Sequence, residues 1–370
     1  MADFALYLHV PFCRSKCAYC DFSSWAGREA QMEPYLRALH AEIRTQGARF
    51  APGRVVSSVF FGGGTPSLLP GDAARGLMDS IRAAFCVSPE AEVTMEGNPG
   101  TLTEENLCAY RAAGVNRLSL GVQSFSDELL RRVGRIHTAR QAADAVRLAR
   151  SAGFENLNLD LMYGLPGQTE EDFARSVEQA IDLNPGHLSL YALIQEPGTP
   201  LWRRVQAGEC ALPDDERVLA MQHDAQARLE RAGYRRYEIS NYALPGRECR
   251  HNLLYWRRGE YLGLGCAAHS LMEETRFANP DSLEEYLAGK RADEGERLSA
   301  ADQFEEQVML GLRTRDGLPL PLLQGREQAL ERLVRGGFLE VRAGRVCATQ
   351  QGADLLNAVI LELVSPPAGP

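Results

Sequence analysis

The stretch FCRSKCAYCDF, residues 12–22, sets Cys13, Cys17 and Cys20 within eight positions. Three thiols this close suit a metal or cluster site. A structural zinc site closes with four ligands, and an electron-transfer iron–sulfur cluster likewise takes four cysteines. Where a C-x-C extension would supply the fourth thiol, the chain carries Phe22. The set is one ligand short of either pattern, and the surrounding elements must say whether the gap is used.

A second candidate is FGGGTPS, residues 61–67. Glycines let backbone N–H groups approach a ligand closely, but no G-K-[ST] follows, so the turn is not a Walker loop.

The elements that would position these groups alternate through the first half. Strand-like runs occupy residues 4–10, 55–61, 92–96, 117–123, 157–163 and 187–193. Between them, helical patterns cover Glu33–Gln46, Asp72–Phe85, Thr103–Ala113, Ala139–Ala152 and Glu170–Leu183. Thr101-x-x-Glu104 and Thr169-x-x-Asp172 resemble capping boxes. Strand-then-helix repetition predicts parallel strands with right-handed crossovers. Six units are present, two short of a closed eight-fold barrel.

Alternation within the strands separates an open doubly wound sheet from a barrel. A strand covered by helices on both faces is apolar throughout. Here Leu157, Leu159 and Leu161 oppose Asn158, Asp160 and Met162, while Leu118, Leu120 and Val122 oppose Arg117, Ser119, Gly121 and Gln123. Val93 and Met95 likewise oppose Glu92, Thr94 and Glu96. The first strand sets Phe4, Leu6, Leu8 and Val10 against Tyr7 and His9. One face suits a helix layer; the other needs a lumen holding a polar ligand. Barrel chemistry gathers at strand C-terminal ends, which present Glu96, Gln123 and Asp160, with the cysteine loop after the first strand.

Length and charge narrow the partners. At 370 residues, one large domain and a smaller one are expected. A formal charge of −9 argues against nucleic acid as a general partner. No apolar run reaches the ~18 residues of a membrane span, and the start has no basic signal-peptide region. Nine cysteines, six of them scattered singly, argue against a disulfide framework and for a reducing cytoplasm. Cys86, Cys108, Cys210, Cys249, Cys266 and Cys347 are expected to be packed in the interior.

C-x3-C-x2-C after the first strand, with GGGTP after the second, resembles the radical S-adenosylmethionine (SAM) superfamily. The resemblance implies that Cys13, Cys17 and Cys20 bind three irons of a 4Fe–4S cluster, leaving the fourth open for the amino and carboxylate groups of SAM. It also implies reductive cleavage of SAM to methionine and a 5′-deoxyadenosyl radical. A zinc site completed by a distant histidine is the rival for the cysteines.

YLHVPFC, EGNP, GVQSF and DLMYGLPGQT together are similar to the oxygen-independent coproporphyrinogen III oxidase-like branch, from the N-terminus to about residue 200. By that resemblance Tyr7, Tyr19, Gly63, Gly64, Thr65, Glu96, Gln123, Arg135 and Asp160 stand where SAM is contacted. The oxidase pattern itself continues to a fourth cysteine and follows a longer N-terminal segment. RHNLLYW, residues 250–256, instead resembles the H-N-x-x-Y-W motif of the heme chaperone family. That makes His251 a candidate heme ligand, since neutral imidazole is a common axial ligand of heme iron. Tyr255 and Trp256 are candidates to pack on the porphyrin; His269 and His9 are weaker candidates for the iron, and His9 is expected to serve the cysteine loop.

The fold expected is α/β, a radical SAM partial (β/α)6 barrel over residues 1–235, a connecting region over 236–300, and a C-terminal helical, winged-helix-like domain over 301–370. In the last, two helical stretches precede strand, Ala343-Gly344 turn, strand and helix. The function implied is to bind heme and transfer it to an acceptor protein, with an electron donor serving the cluster. The alternative implied by the wider branch is radical decarboxylation of coproporphyrinogen III.

Overall fold

The computed structural model describes residues 2–292 and 295–365. Met1, residues 293–294 of the connecting region and residues 366–370 of the C-terminal unit lie outside the described residues.

Six parallel strands follow one another across the sheet: β1 (Ala2–Val10), β2 (Arg54–Gly63), β3 (Val87–Gly97), β4 (Arg117–Gln123), β5 (Asn156–Tyr163) and β6 (His187–Ala192). Helices α1 (Met32–Phe50), α2 (Gly71–Ala84), α3 (Glu104–Ala113), α4 (Ala139–Ser151) and α5 (Glu170–Asp182) link them. Three of these helices bury the same spacing: Ala74, Leu77, Met78 and Ile81; Ala142, Ala145, Val146 and Ala149; Phe173, Ser176, Val177 and Ala180. That i, i+3, i+4, i+7 stripe is one helix face. It packs on the oily strand face, where Leu118, Leu120, Leu157, Leu159 and Leu161 are fully buried. Each such side chain contributes roughly 1.5–3 kcal/mol on leaving water.

The expected six units are present and the sheet stays open. It also runs further than the repeat count implies. β7 (Tyr261–Leu264) pairs parallel to β1, aligning Ala5 with Tyr261 and Leu8 with Leu264. Antiparallel strands His269–Met272 and Thr275–Ala278 continue that edge, while Asn241–Ala243 extends the β6 edge. β1 is therefore an interior strand.

Thr169 caps α5 with the predicted capping box. At α3 the cap is Thr103, accepting from Asn106 N, rather than Thr101. Thr101 instead donates to Asn98 O at 2.8 Å and pairs with Ser67. Of the single cysteines, Cys249, Cys266 and Cys347 are buried, Cys210 is half-buried, and Cys86 and Cys108 are exposed, contrary to the packing expectation.

At the C-terminus, α7 (Ala300–Gly311) and helix Glu327–Arg335 precede the strand pair Leu339–Arg342 and Arg345–Ala348. The turn between those strands places Ala343 and Gly344 at φ 47° and 74°, the left-handed pair of a tight hairpin. A separate core around Val308, Leu333, Val346 and Leu363 holds this winged-helix-like unit together. It docks on the rest through Arg315 N to Tyr237 O and ion pairs of Glu306 with Arg258 and Arg276. Among the described residues no helix is long and apolar enough to cross a membrane.

Candidate functional site

The cysteine loop is tied down from several sides. Gly64 N donates to Val10 O at 2.9 Å and Thr65 N to Phe12 O at 2.8 Å, fastening the glycine turn beneath Cys13. His9 Nε2 donates to Ser23 O at 2.8 Å, leaving Nδ1 to accept from the Tyr7 hydroxyl at 3.1 Å. Arg135 Nη1 donates to Cys17 Sγ at 3.3 Å, and its other arm donates to Gly121 O. Thr65 Oγ1 lies 3.5 Å from Cys13 Sγ.

The glycines are required by protein as much as by any ligand. Gly63 has φ 110°, and a Cβ there would lie 2.7 Å from the His9 ring. A Cβ on Gly64 would come within 2.7 Å of Phe12 O and 3.0 Å of Cys13 Sγ. Neither approach tolerates a side chain.

All three cysteines line one cavity of about 560 Å³ at the C-terminal ends of the strands. Gly63, Gly64, Thr65, Glu96, Gln123, Arg135, Asp160 and Tyr19 share it, together with Arg117, Ser119, Asn158 and Ser189 from the same polar strand face. This is the lumen that alternation predicts. No three His, Cys, Asp or Glu side chains among the described residues converge on one metal ion.

The lumen is electrostatically unusual. Burial and the Asp160 charge push Glu96 up to about 8, against the pull of the Gly63 N–H and Arg117. Burial also raises Asp160, opposed by hydrogen bonds and Arg117. Asn158 Nδ2 donates to Asp160 at 2.8 Å and to Ser119 at 2.7 Å. Its Oδ1 accepts from His187 Nδ1 at 2.6 Å. A register shift between Gly121 and Gln123 ends β4, and Gln123 adopts φ 64°. A non-glycine residue held there marks strain of a kind concentrated at functional sites. Gln123 Oε1 and Arg135 Nε, both buried, have no partner among the described residues.

Tyr7 faces elsewhere. Because β7 continues the sheet past β1, the polar face of β1 opens into a second cavity of about 590 Å³. Tyr7 and His9 line it with Tyr255, Tyr261, His269, Leu271, Arg276, Met309 and Leu310; Asp21, Phe22, Gly63 and Glu96 border both cavities. Phe22, at the position of the absent fourth cysteine, is 63% exposed at this shared wall.

The H-N-x-x-Y-W residues form helix α6 (Arg250–Trp256). Its N-terminus is capped from β3: Glu92 accepts from Arg250 N at 3.2 Å and His251 N at 3.1 Å. Sequence reasoning placed Glu92 on the lumen face without this role; only a pairing across more than 150 positions creates it. His251 is 1% exposed. Ser58 Oγ lies 2.9 Å from its Nδ1 and the Tyr255 hydroxyl 3.0 Å from its Nε2, with Phe60 stacked at 4.9 Å. Burial and the nearby Arg117 cation lower it to about 3, so the ring is neutral. The structure thus gives His251 two protein partners and no open nitrogen. Arg117, buried at the base of the lumen, is a further residue that alternation placed on this face without assigning it a role.

The Radical SAM superfamily matches residues 7–180 and the HemN C-terminal domain matches residues 298–355. The chain is 41% identical to the heme chaperone HemW of Mycobacterium tuberculosis over 98% of its own length and 95% of that protein. Identity to HemW of Escherichia coli is also 41%, covering 85% of this chain and 84% of the relative. With HemW of Bacillus subtilis it is 36%, covering 95% and 97%. The solved structure of coproporphyrinogen III oxidase HemN from Escherichia coli superposes with a TM-score of 0.86 at 27% identity, covering 98% of this chain and 90% of that one. Sequence motifs, open (β/α)6 sheet and full-length identity agree: the chain belongs to the HemW family, in the coproporphyrinogen III oxidase-like branch of the radical SAM superfamily.

Proposed function

We propose that this protein binds heme and delivers it to an acceptor protein in the cytoplasm. The observation that carries the reading is the placement of α6: its Tyr255 walls an aromatic cavity that shares Gly63 and Glu96 with the cysteine lumen. The relatives named heme chaperones, matched over nearly the whole chain, supply the same direction.

In this reading Cys13, Cys17 and Cys20 hold a 4Fe–4S cluster, and Tyr19, Gly63, Gly64, Thr65, Glu96, Gln123, Arg135 and Asp160 hold SAM, with Tyr7 bordering from the second cavity. The donor set fits. Three cysteines face one cavity, and the unpartnered Gln123 Oε1 and Arg135 Nε offer an acceptor and a donor beside them. Glu96, neutral near pH 7, is able to donate a hydrogen bond to a ligand oxygen. When bound, such a cluster supplies a low-potential electron, which an electron-donor protein would replenish. The working units are residues 1–235, 236–300 and 301–370.

The test is heme uptake beside porphyrinogen turnover on anaerobically prepared protein. Saturable heme binding with a Soret band, transfer to an apo-acceptor, and no decarboxylation of coproporphyrinogen III with SAM and reductant are expected. Multiple-turnover release of carbon dioxide would overturn the chaperone reading in favour of the oxidase chemistry of the HemN-like fold.

A further inference from the structure

Six of the seven histidine rings are already engaged by described residues: His9, His40, His137, His187, His223 and His251. His269 is the exception. It opens the strand His269–Met272, is exposed, and no described residue hydrogen-bonds its ring. That ring lines the cavity beside β1.

The cavity's chemistry is specific. Its volume of about 590 Å³ falls in the usual range for small-molecule sites. Tyr255 and Tyr261 meet edge to face at 4.6 Å, and Leu271, Met309 and Leu310 complete an apolar surface. Arg276, its side chain 42% exposed, pairs with Glu306 at 2.6 Å and sets a cation beside that surface. A flat apolar macrocycle with carboxylate arms and a central iron matches all three features. His251 offers the opposite: coordinating iron would require it to abandon Ser58 or Tyr255 and leave an interior position. A neutral, doubly bonded imidazole of this kind orients its partner's hydroxyl.

Resting on the heme-binding reading, we infer that heme occupies this second cavity with His269 as its axial ligand, and that His251 is a positioning residue acting through Tyr255. The H-N-x-x-Y-W motif then shapes the wall of the site and the iron is met from the neighbouring strand. Arg276 exchanges Glu306 for a heme carboxylate as the cavity fills.

The experiment is a ferric heme titration of the full chain and of His269→Ala, His251→Ala and His251→Gln, followed by absorption, electron paramagnetic resonance and resonance Raman spectra. Wild type is expected to show a histidine-ligated signature. His269→Ala loses it and weakens binding by at least about tenfold, a loss that even indirect partners of a metal ligand produce; added imidazole restores the signature. The His251 variants keep the signature and weaken binding by less than about tenfold, with His251→Gln nearer wild type because it can still bond Tyr255. Because His269 is exposed, its substitution leaves the fold intact, which thermal melting verifies. A histidine signature retained in His269→Ala and lost in His251→Ala would overturn the inference while keeping heme binding. Absence of saturable heme binding by wild type would overturn the underlying reading itself.

Discussion

The two cavities are nearly equal in size, about 560 and 590 Å³, and share Asp21, Phe22, Gly63 and Glu96, yet their chemistry is opposed. The lumen is built from period-two polar residues of parallel strands, with half-buried carboxylates, a buried guanidinium and three thiols. The other is built from tyrosines and aliphatic side chains brought together by β7, α6 and α7. A polar lumen demands a ligand that satisfies its unpartnered atoms, because buried polar groups left unpaired cost free energy. The aromatic cavity demands area, and its few polar groups set orientation. The two cavities therefore suit different ligands, a small charged one in the lumen and a large flat one beside it.

The largest effect that separates the cavities is expected from Cys17→Ala. Anaerobic protein should carry about four irons and four sulfides per chain for a 4Fe–4S cluster, and the variant should lose most of them while still taking up heme. Full iron content in the variant would show that the three cysteines are not the ligand set.

A smaller effect, felt on both sides of the shared wall, is expected from Gly63→Val. The position has φ 110° and a Cβ would strike the His9 ring at 2.7 Å. Left-handed strain costs on the order of 1–3 kcal/mol and overpacking a similar amount, so denaturant melts should show roughly 2–4 kcal/mol of destabilisation. Displacing His9 also frees Ser23 O, so SAM binding should weaken. Unchanged stability would mean the turn relaxes freely and does not anchor the wall.

The smallest effect concerns pH and arises at Glu96, on the wall the two cavities share. Glu96 titrates at about 8 in the folded chain against an ordinary value of 4.5. A raised carboxyl pKa means the unfolded chain releases its proton first. Stability is thus lost as pH rises from about 4.5 towards 8, and the loss is complete above that. Glu96→Gln should remove this slope in the ligand-free protein. At pH 5 the two should melt alike; at pH 8.5 the variant should be more stable, on the order of 1–2 kcal/mol for a half-buried group. Parallel pH profiles would contradict the assignment.

The lumen was far more legible in the sequence than its neighbour, for a physical reason. Alternation has period two, so Ser119, Gly121 and Gln123 or Asn158 and Asp160 announce a shared face from local order alone. The repeated helix stripes and the capping box at Thr169 are likewise local. The second cavity depends on contacts distant in sequence. Tyr7 looks like a lumen residue, but β7, some 250 positions later, extends the sheet past β1, and Tyr7 lines the cavity there with Tyr255 and Tyr261. His251 looks like an open ligand until Ser58, 193 positions away, meets its Nδ1. At α3 the miss was short-range: Thr101 and Thr103 both resemble caps, and the 3-10 turn at Pro99–Thr101 decides between them.

The most direct test of two adjoining but separate sites is to count cluster iron and bound heme on the same anaerobic preparations of Cys17→Ala and His269→Ala. A crossed result is expected: Cys17→Ala loses cluster iron and keeps histidine-ligated heme, and His269→Ala keeps the cluster and loses that heme signature. Joint loss of both in each correctly folded variant would contradict it, because the two cavities would then behave as one site.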